Sequence, residues 1–439
     1  MPASTFRHEP RRQRQCGYED RRSESTSNSL SCPTSNGTGT WKREVGSVTD
    51  GGWSAPETDV IANVGEAIDG GGAVLATVVA VEGSAYRRPG AKMVIGDGDG
   101  VGAVTAGCLE DEIVALAEQV LARGQPQVER FDLTDGGDVW GLGVGCNGVI
   151  DVLLEPLTGS YRPVVEAYER GEDTVVLTVI DGDGTPVECG DRTVMFPAES
   201  RTDGLYLQDL DWPDELLAAL EGPTNRLLAA DASDTVSLRC EGGDVDVFVD
   251  SVTAPPELVV FGSGRDIAPV ARSAAQVGFR VTVVTFRGAA ATEARFPAAD
   301  RVVSTSPADL RNVVSFDADT YAVLMTHNFV DDRIALTELL ETATEYIGLL
   351  GPRKRFEELR TALTEDGYRL TDEELDRVYT PVGLDLGGDT PFHVAQSIVA
   401  EVTAAHHERS PKHLTERAGP IHARSPVSAE SDETKSRWD

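Results

Sequence analysis

Lysine is nearly missing from this sequence. Its 439 residues contain five (Lys42, Lys92, Lys354, Lys412 and Lys435), and all bases together number 39 against 73 acids. A net charge of −34 leaves no basic face able to neutralise a phosphate backbone, which argues against nucleic acid as a partner. Long apolar runs are missing too. None approaches the roughly 18 residues of a membrane helix, and the N-terminal arginines lead into no apolar stretch of a signal peptide. A cytoplasmic protein without membrane insertion is expected. Cysteine is scarce: Cys16, Cys32, Cys108, Cys146, Cys189 and Cys240. None forms a CxxC pair, so zinc-finger and thioredoxin motifs have no support, and a reducing compartment keeps the thiols free. GxSxG, HExxH, a P-loop and a Cys–His pair close in sequence are all absent.

What remains is ordinary globular material. Hydrophobic residues make up 40%, and the length suffices for two or three domains with cores. The acid surplus runs through every segment but the first. Such a surface repels itself at low salt, and the repulsion fades when the Debye length falls to about 3 Å in molar salt. Simple solubility would explain some excess; its extent suggests a halophilic cytoplasm. Residues 1–55 are polar, basic and without period, and are expected to be disordered, as is the tail 409–439. The first stretch reads either as a basic arm or as the product of a start codon assigned too far upstream.

Two domains are expected between these ends. From 56 to 254, ETDVIANVGEAID has helical spacing, and GGAVLATVVAVEG is a buried strand. AKMVIG and GVGAVTAG are short strands about a DGDG turn, and LEDEIVALAEQVLARG is a helix ended by Gly124. GVIDVLLEPL and DTVVLTVIDGDG are strands; further strands and turns run to about 250, with the short helix PDELLAALE between them. No internal repeat is visible. After Pro255-Pro256 strands alternate with helices to 408 (ELVVFG, FRVTVVT, RVVST, YAVLMT, YIGLLG), which predicts a doubly wound parallel sheet. The expected fold is α/β, with an N-terminal mixed-sheet domain and a C-terminal Rossmann-like domain.

VVFGSGRDIAPVA places Gly262 and Gly264 between a strand and a helix, the context of a phosphate turn. Ile267 stands where a dinucleotide fingerprint has its third glycine. Thr285 replaces the acid that grips an adenosine ribose, and Arg287 is close by. NADP, another phosphate-bearing nucleotide or a phosphorylated pterin suits such a turn better than NAD. Glycines that only tighten a strand–helix junction are the plainer reading. His327 lies at a strand end, the usual ligand edge of such sheets.

In the first domain, VEGSAYRRPGAKMVI gathers Arg87, Arg88 and Lys92 in one loop. Guanidinium forks suit phosphate or pterin oxygens, although pairing with the many acids would also explain them. Two cysteines stand in glycine-rich turns, Cys108 in VTAGCLEDE and Cys146 in GLGVGCNG. Cys108 precedes a helix whose dipole favours a thiolate, and Gly107 leaves room for a bulky ligand. Small buried residues in tight turns are the alternative.

Together these segments resemble the XdhC/CoxI family of xanthine and carbon monoxide dehydrogenase maturation factors. ATVVAVEGSAYRRPGAKMVI, GAVTAGCLEDEI, FDLTDGGDVWGLGVGCNGVIDVLLEPL, FGSGRDIAPVARSAAQVGFRVTVV, YIGLLGPRKR and PVGLDLGGDTPFHVAQSIVAEV match its blocks in order over most of residues 57–405. The resemblance implies a chaperone that binds molybdenum cofactor (molybdopterin), promotes its sulfuration with a cysteine desulfurase, and delivers it to a xanthine/CO dehydrogenase-type molybdenum hydroxylase. A cofactor nucleotidyltransferase is a further implied partner and a homodimer the implied assembly. On this reading one cofactor cleft is expected, with Arg87, Arg88, Lys92, Gly107, Cys108, Glu110 and Cys146, where Cys108 touches molybdenum, a soft metal that thiolates suit. Gly262, Gly264, Arg287 and His327 would supply ligand contacts on the C-terminal domain. The chain departs from the family pattern at Ala106, at Thr285, where an acid is common, at Asn328, where a second histidine is common, and at His393. Two rivals stay open: an NAD(P)-dependent oxidoreductase built on the C-terminal domain, and a scaffold that only docks the desulfurase and its target.

Overall fold

Helical spacing followed by a run of β-branched residues sets the first unit. The computed structural model describes residues 55–96, 99–133, 148–182, 184–196, 212–240 and 243–418. Helix α1 (Glu57–Gly70) turns Val60, Ile61 and Val64 inward and leads into β1 (Val74–Gly83). Then come β2 (Lys92–Gly96), β3 (Asp99–Gly102), α2 (Glu110–Arg123), β4 (Gln127–Asp132) and β5 (Gly148–Pro156), in a sheet ordered β3-β2-β1-β5-β4. Strand β3 is shorter than GVGAVTAG suggests. It ends at Gly102, whose φ is 91° and whose added Cβ would meet the Lys92 carbonyl oxygen at 2.5 Å.

The next unit contains α3 (Arg162–Arg170), β6 (Thr174–Asp181), β7 (Arg192–Met195), α4 (Asp214–Ala229), β8 (Asp234–Cys240) and β9 (Gly243–Val252), in a sheet ordered β7-β6-β9-β8. This is the first unit over again. Dropping β3, the two strand orders coincide. The β1–β5 and β6–β9 pairings shift register at the same place, between Val78 and Ala80 and between Val179 and Asp181. Gly90 (φ 97°) donates to the Val78 carbonyl and Gly190 (φ 96°) to that of Val179, each at 2.9 Å. Thr77, Gly90, Lys92 and Glu155 thus correspond to Thr178, Gly190, Arg192 and Asp250. The repeat escapes a sequence reading because such matches are scattered among interchangeable apolar residues and the connections differ in length.

All described pairings in both sheets are antiparallel, so the sheet expected to be mixed is not. Each sheet packs one face on its own helix. Val74, Ala76 and Val78 meet Ile113 and Val120 of α2; Val175, Leu177 and Val179 meet Leu216 and Leu220 of α4. The opposite faces share a core with α1 and α3, in which Leu75 and Val94 meet Val176 and Val194. Full burial of each such side chain contributes about 1.5–3 kcal/mol. Helix α4 is longer than PDELLAALE because Thr224 and Leu227 continue its buried side past Pro223.

The third sheet begins after residues 253–256. Its elements are β10 (Glu257–Phe261), α5 (Ile267–Gln276), β11 (Arg280–Thr285), β12 (Arg301–Ser304), β13 (Thr320–Leu324), α6 (Phe329–Leu340), β14 (Tyr346–Leu349), α7 (Arg353–Glu365), α8 (Asp372–Asp376), β15 (Val378–Tyr379) and α9 (Pro391–His406). All strands are parallel, in the order β12-β11-β10-β13-β14-β15, the doubly wound arrangement. Both faces are covered, α5 and α9 on one and α6 and α7 on the other, which is why ELVVF and VTVVT read as unbroken apolar runs. The described residues fall within one compact unit, and no helix among them is long and apolar enough to cross a membrane. Residues 1–54 and 419–439, where disorder is expected, lie outside the described residues; within 409–418 there is a short 3-10 turn, Leu414–Glu416.

Candidate functional site

Strand register fixes an open end of the first sheet. Gly83 pairs with Gly148, Asp132 with Val149 and Met93 with Gly102. The turn 84–91 and the loop 103–109 therefore leave the sheet at the same end, where β4 stops at Asp132 and β5 starts at Gly148. Ala85, Cys108 and Leu133, from or beside these segments, pack on one apolar cluster. Gly148 answers a demand for close approach: a Cβ there would lie 2.6 Å from the Glu82 carbonyl oxygen and 2.7 Å from that of Ser84.

The loop before α2 is built around Thr105, which is buried. Its hydroxyl donates to the Glu110 carboxylate, 2.6 and 2.7 Å from the two oxygens, and accepts from the backbone N–H of Cys108 at 3.3 Å and of Leu109 at 3.4 Å. The N–H groups of Thr105 and Leu109 also donate to Glu110, each at 3.1 Å. Partial burial by itself would raise the Glu110 pKa, but the Thr105 hydroxyl and these N–H groups outweigh it and hold the carboxyl below its usual range. Glu110, expected to touch cofactor, instead uses its oxygens to close the loop. The loop in turn presents Cys108 as a half-buried free thiol at the start of α2. Beside it Gly107 has a φ of 97°, and an added Cβ would meet nothing within 4 Å, so this side is open.

Arg87 is half-buried and Arg88 exposed, and among the described residues neither guanidinium has an ion-pair partner. Lys92 is turned the other way. It is 2% exposed, with Nζ 2.9 Å from Asp250 Oδ2 and donating to the Gly90 carbonyl at 2.8 Å. Burial alone would lower its pKa; the charges of Asp250 and Glu57 overcome that and raise it, so the ammonium persists. Lys92 is thus an internal strut and not a group of the open end. Cys146 lies outside the described residues.

The glycine turn between β10 and α5 is tight for reasons of packing. A Cβ on Gly262 (φ 143°) would lie 2.4 Å from the Met325 carbonyl oxygen, and one on Gly264 2.0 Å from Asp266 Oδ1. Asp266 Oδ2 is 2.8 Å from His327 Nε2. His327 has a left-handed backbone, φ 56°. It is held there by bonds on both sides: Thr326 donates to Asp332, which pairs with Arg355 at 2.6 Å, and Asn328 caps α6. Arg287 is paired with Asp331 at 2.7 Å, and buried Thr285 bonds to the Arg287 backbone. A carboxylate in the turn and the pairing of Arg287 with Asp331 both disfavour a dinucleotide pyrophosphate with a ribose phosphate. A cleft of about 420 Å³ beside the turn is lined by Gly264, Arg265, Ala268, Arg295 and Phe296. Arg265 and Arg295 escaped the sequence reading, although an arginine within GSGRD was a usable signal.

A repeated antiparallel unit followed by a doubly wound parallel sheet defines a two-part α/β protein with a Rossmann domain second. Comparisons give the class a family. Residues 67–132 match the model of the XdhC and CoxI family, and residues 258–402 that of the XdhC Rossmann domain. A probable xanthine dehydrogenase subunit from Bacillus subtilis is 30% identical over 341 residues, 75% of this chain and 92% of that one. Molybdenum cofactor insertion chaperone PaoD of Escherichia coli is 22% identical over 339 residues, 77% of this chain and 84% of that one. A crystal structure of a xanthine dehydrogenase from Bacillus halodurans has a TM-score of 0.62 at 26% identity, covering 81% of this chain and 97% of that chain. The chain belongs to the XdhC and CoxI family.

Proposed function

We propose that this chain is a cytoplasmic maturation factor that binds molybdenum cofactor at the open end of its first sheet, promotes its sulfuration and hands it to a xanthine/CO dehydrogenase-type molybdenum hydroxylase. The observation that carries the proposal is the convergence at that end of a free thiol, two arginines without acid partners among the described residues, and an open glycine side. The donor set fits this cargo. A thiol suits a soft metal, guanidinium forks suit pterin and phosphate oxygens, and open space at Gly107 admits a bulky ring. Cys108 meets the molybdenum end, and Cys146, carried by the connection 134–147, adds a second thiol. A cysteine desulfurase supplies the sulfur, a nucleotidyltransferase is a further partner, and the chain acts as a homodimer. The relative named a molybdenum cofactor insertion chaperone supports this reading. A phosphate-bearing group reaching the Rossmann turn meets Arg265 and Arg295, not Arg287. An oxidoreductase reading has less support, given Asp266 inside the turn and the Arg287–Asp331 pair.

Reconstitution tests it. An apo-molybdenum hydroxylase is incubated with cofactor, desulfurase and cysteine, with or without this chain. The wild type is expected to raise recovered activity, and Cys108→Ala to lose most of that gain. No gain with the wild type, together with tight NADPH binding, would return the function to the Rossmann turn.

A further inference from the structure

The two copies of the repeat grip each other by matched contacts. Lys92 leaves β2 of the first copy and reaches Asp250 on β9 of the second, at 2.9 Å. Its counterpart Arg192 leaves β7 of the second copy and reaches Glu155 on β5 of the first, 2.6 Å from each oxygen. The turn glycines are exchanged in the same way. A Cβ on Gly90 would lie 2.9 Å from Ser233 Oγ, just before β8; one on Gly190 would lie 2.6 Å from Pro126 Cγ, just before β4. Contacts of residue i with j and of j with i are those of a two-fold interface, here between halves of one chain.

The ligand-side groups do not obey this symmetry. Where the first copy has Arg87 and Arg88, the second has Val187 and Glu188. Where fourteen residues (134–147) separate the described ends in the first copy, the second pairs Cys240 with Gly243 across two residues. The second copy keeps the clamp and lacks the groups that the clamp holds in the first.

We infer that Lys92 is a positioning residue of the ligand end: with Asp250 it forms one arm of a reciprocal clamp by which the second copy fixes the arginine-bearing turn 84–91 of the first. The inference rests on the function proposed above. Its mechanics are local. The ammonium also binds the Gly90 carbonyl at 2.8 Å, so it ties the end of the turn directly to β9. Asp250 is itself held by the Ser233 hydroxyl at 3.0 Å, and Ser233 is the residue on which Gly90 rests. An arginine at position 92 has an acceptor waiting. Thr77 Oγ1 is buried without a partner among the described residues, whereas its counterpart Thr178 accepts from Arg192 Nε at 3.2 Å.

The test compares two double variants of the full chain, Lys92→Met/Asp250→Asn and Arg192→Met/Glu155→Gln. Each removes one arm without leaving a lone buried charge. Amide hydrogen exchange and anaerobic titration with molybdenum cofactor are measured on both, with Lys92→Arg as the conservative variant. Loss of the Lys92 arm is expected to speed exchange in 84–91 and weaken cofactor binding about 10-fold, the scale of outer-shell losses. Lys92→Arg keeps both near wild type. Loss of the Arg192 arm speeds exchange in 182–190 and leaves cofactor binding unchanged. Unaltered exchange in 84–91, or equal losses of binding in the two double variants, would overturn the inference. Failure of the wild type to bind cofactor would defeat the proposed function; the exchange measurements would still decide whether the clamp holds the turn.

Discussion

At the scale of the residue, the structure separates groups that hold the loops of the proposed site from groups left open at its surface. Glu110 and Lys92 both fall in the first class. Glu110 closes the Cys108 loop with its carboxylate, and Gln in its place keeps the shape but loses the charge-assisted bonds. Glu110→Gln is expected to lower stability at neutral pH by about 1 kcal/mol, read from the urea midpoint. The folded-state pKa of Glu110 lies below its ordinary 4.5. Its contribution is therefore full above pH 4.5 and is lost as pH falls through the folded-state value, so the variant and wild type converge in acid. A constant gap across that range would assign the loop's stability elsewhere. The position of Lys92 was legible in a way the loop motif hid. The two-residue period that sends Val94 into the shared core sends Lys92 to the same face, as it does Val194 and Arg192. Arg265 was similarly legible within GSGRD, directly after the second glycine of the turn.

At the scale of the element, strands and helices followed from period and punctuation. The parallel sheet was readable because unbroken apolar runs alternate with helical ones between glycines. The open end of the first sheet was only half readable. A cysteine and two arginines marked the segments, but strand register, which no local pattern states, is what brings the turn 84–91 and the loop 103–109 to one end. The duplication was hidden because its shared residues, such as the turn glycines, Thr77 and Thr178, and the buried ion pairs, are scattered among interchangeable apolar positions. Gly148 meets a demand for close approach, since its neighbours are backbone atoms that cannot rotate away. Gly148→Ala should cost about 1–3 kcal/mol by overpacking, with a lower urea midpoint, unchanged m-value and weaker cofactor binding. Gly159→Ala, where an added Cβ meets nothing within 4 Å, is the control. Equal stability of the two variants would show that the sheet and the turn 84–91 are not pressed together as described.

At the scale of the whole molecule, a charge of −34 works against compactness, while the clamp ions are paired inside and shielded from salt. Screening should therefore relieve surface repulsion without loosening the clamp, and Tm is expected to rise from low to molar salt. A Tm that stays flat or falls would mean that surface ion pairs outweigh the acid surplus. The same surface leaves Arg87 and Arg88 as a local exception at the end where Cys108 is presented. The measurement that tests this account most directly is an anaerobic titration of purified molybdenum cofactor, in molar salt, into wild type and Cys108→Ala. The account predicts saturable binding by the wild type and binding weakened by about 10-fold or more in the variant. Equal binding by the two proteins, or none by the wild type, would contradict it.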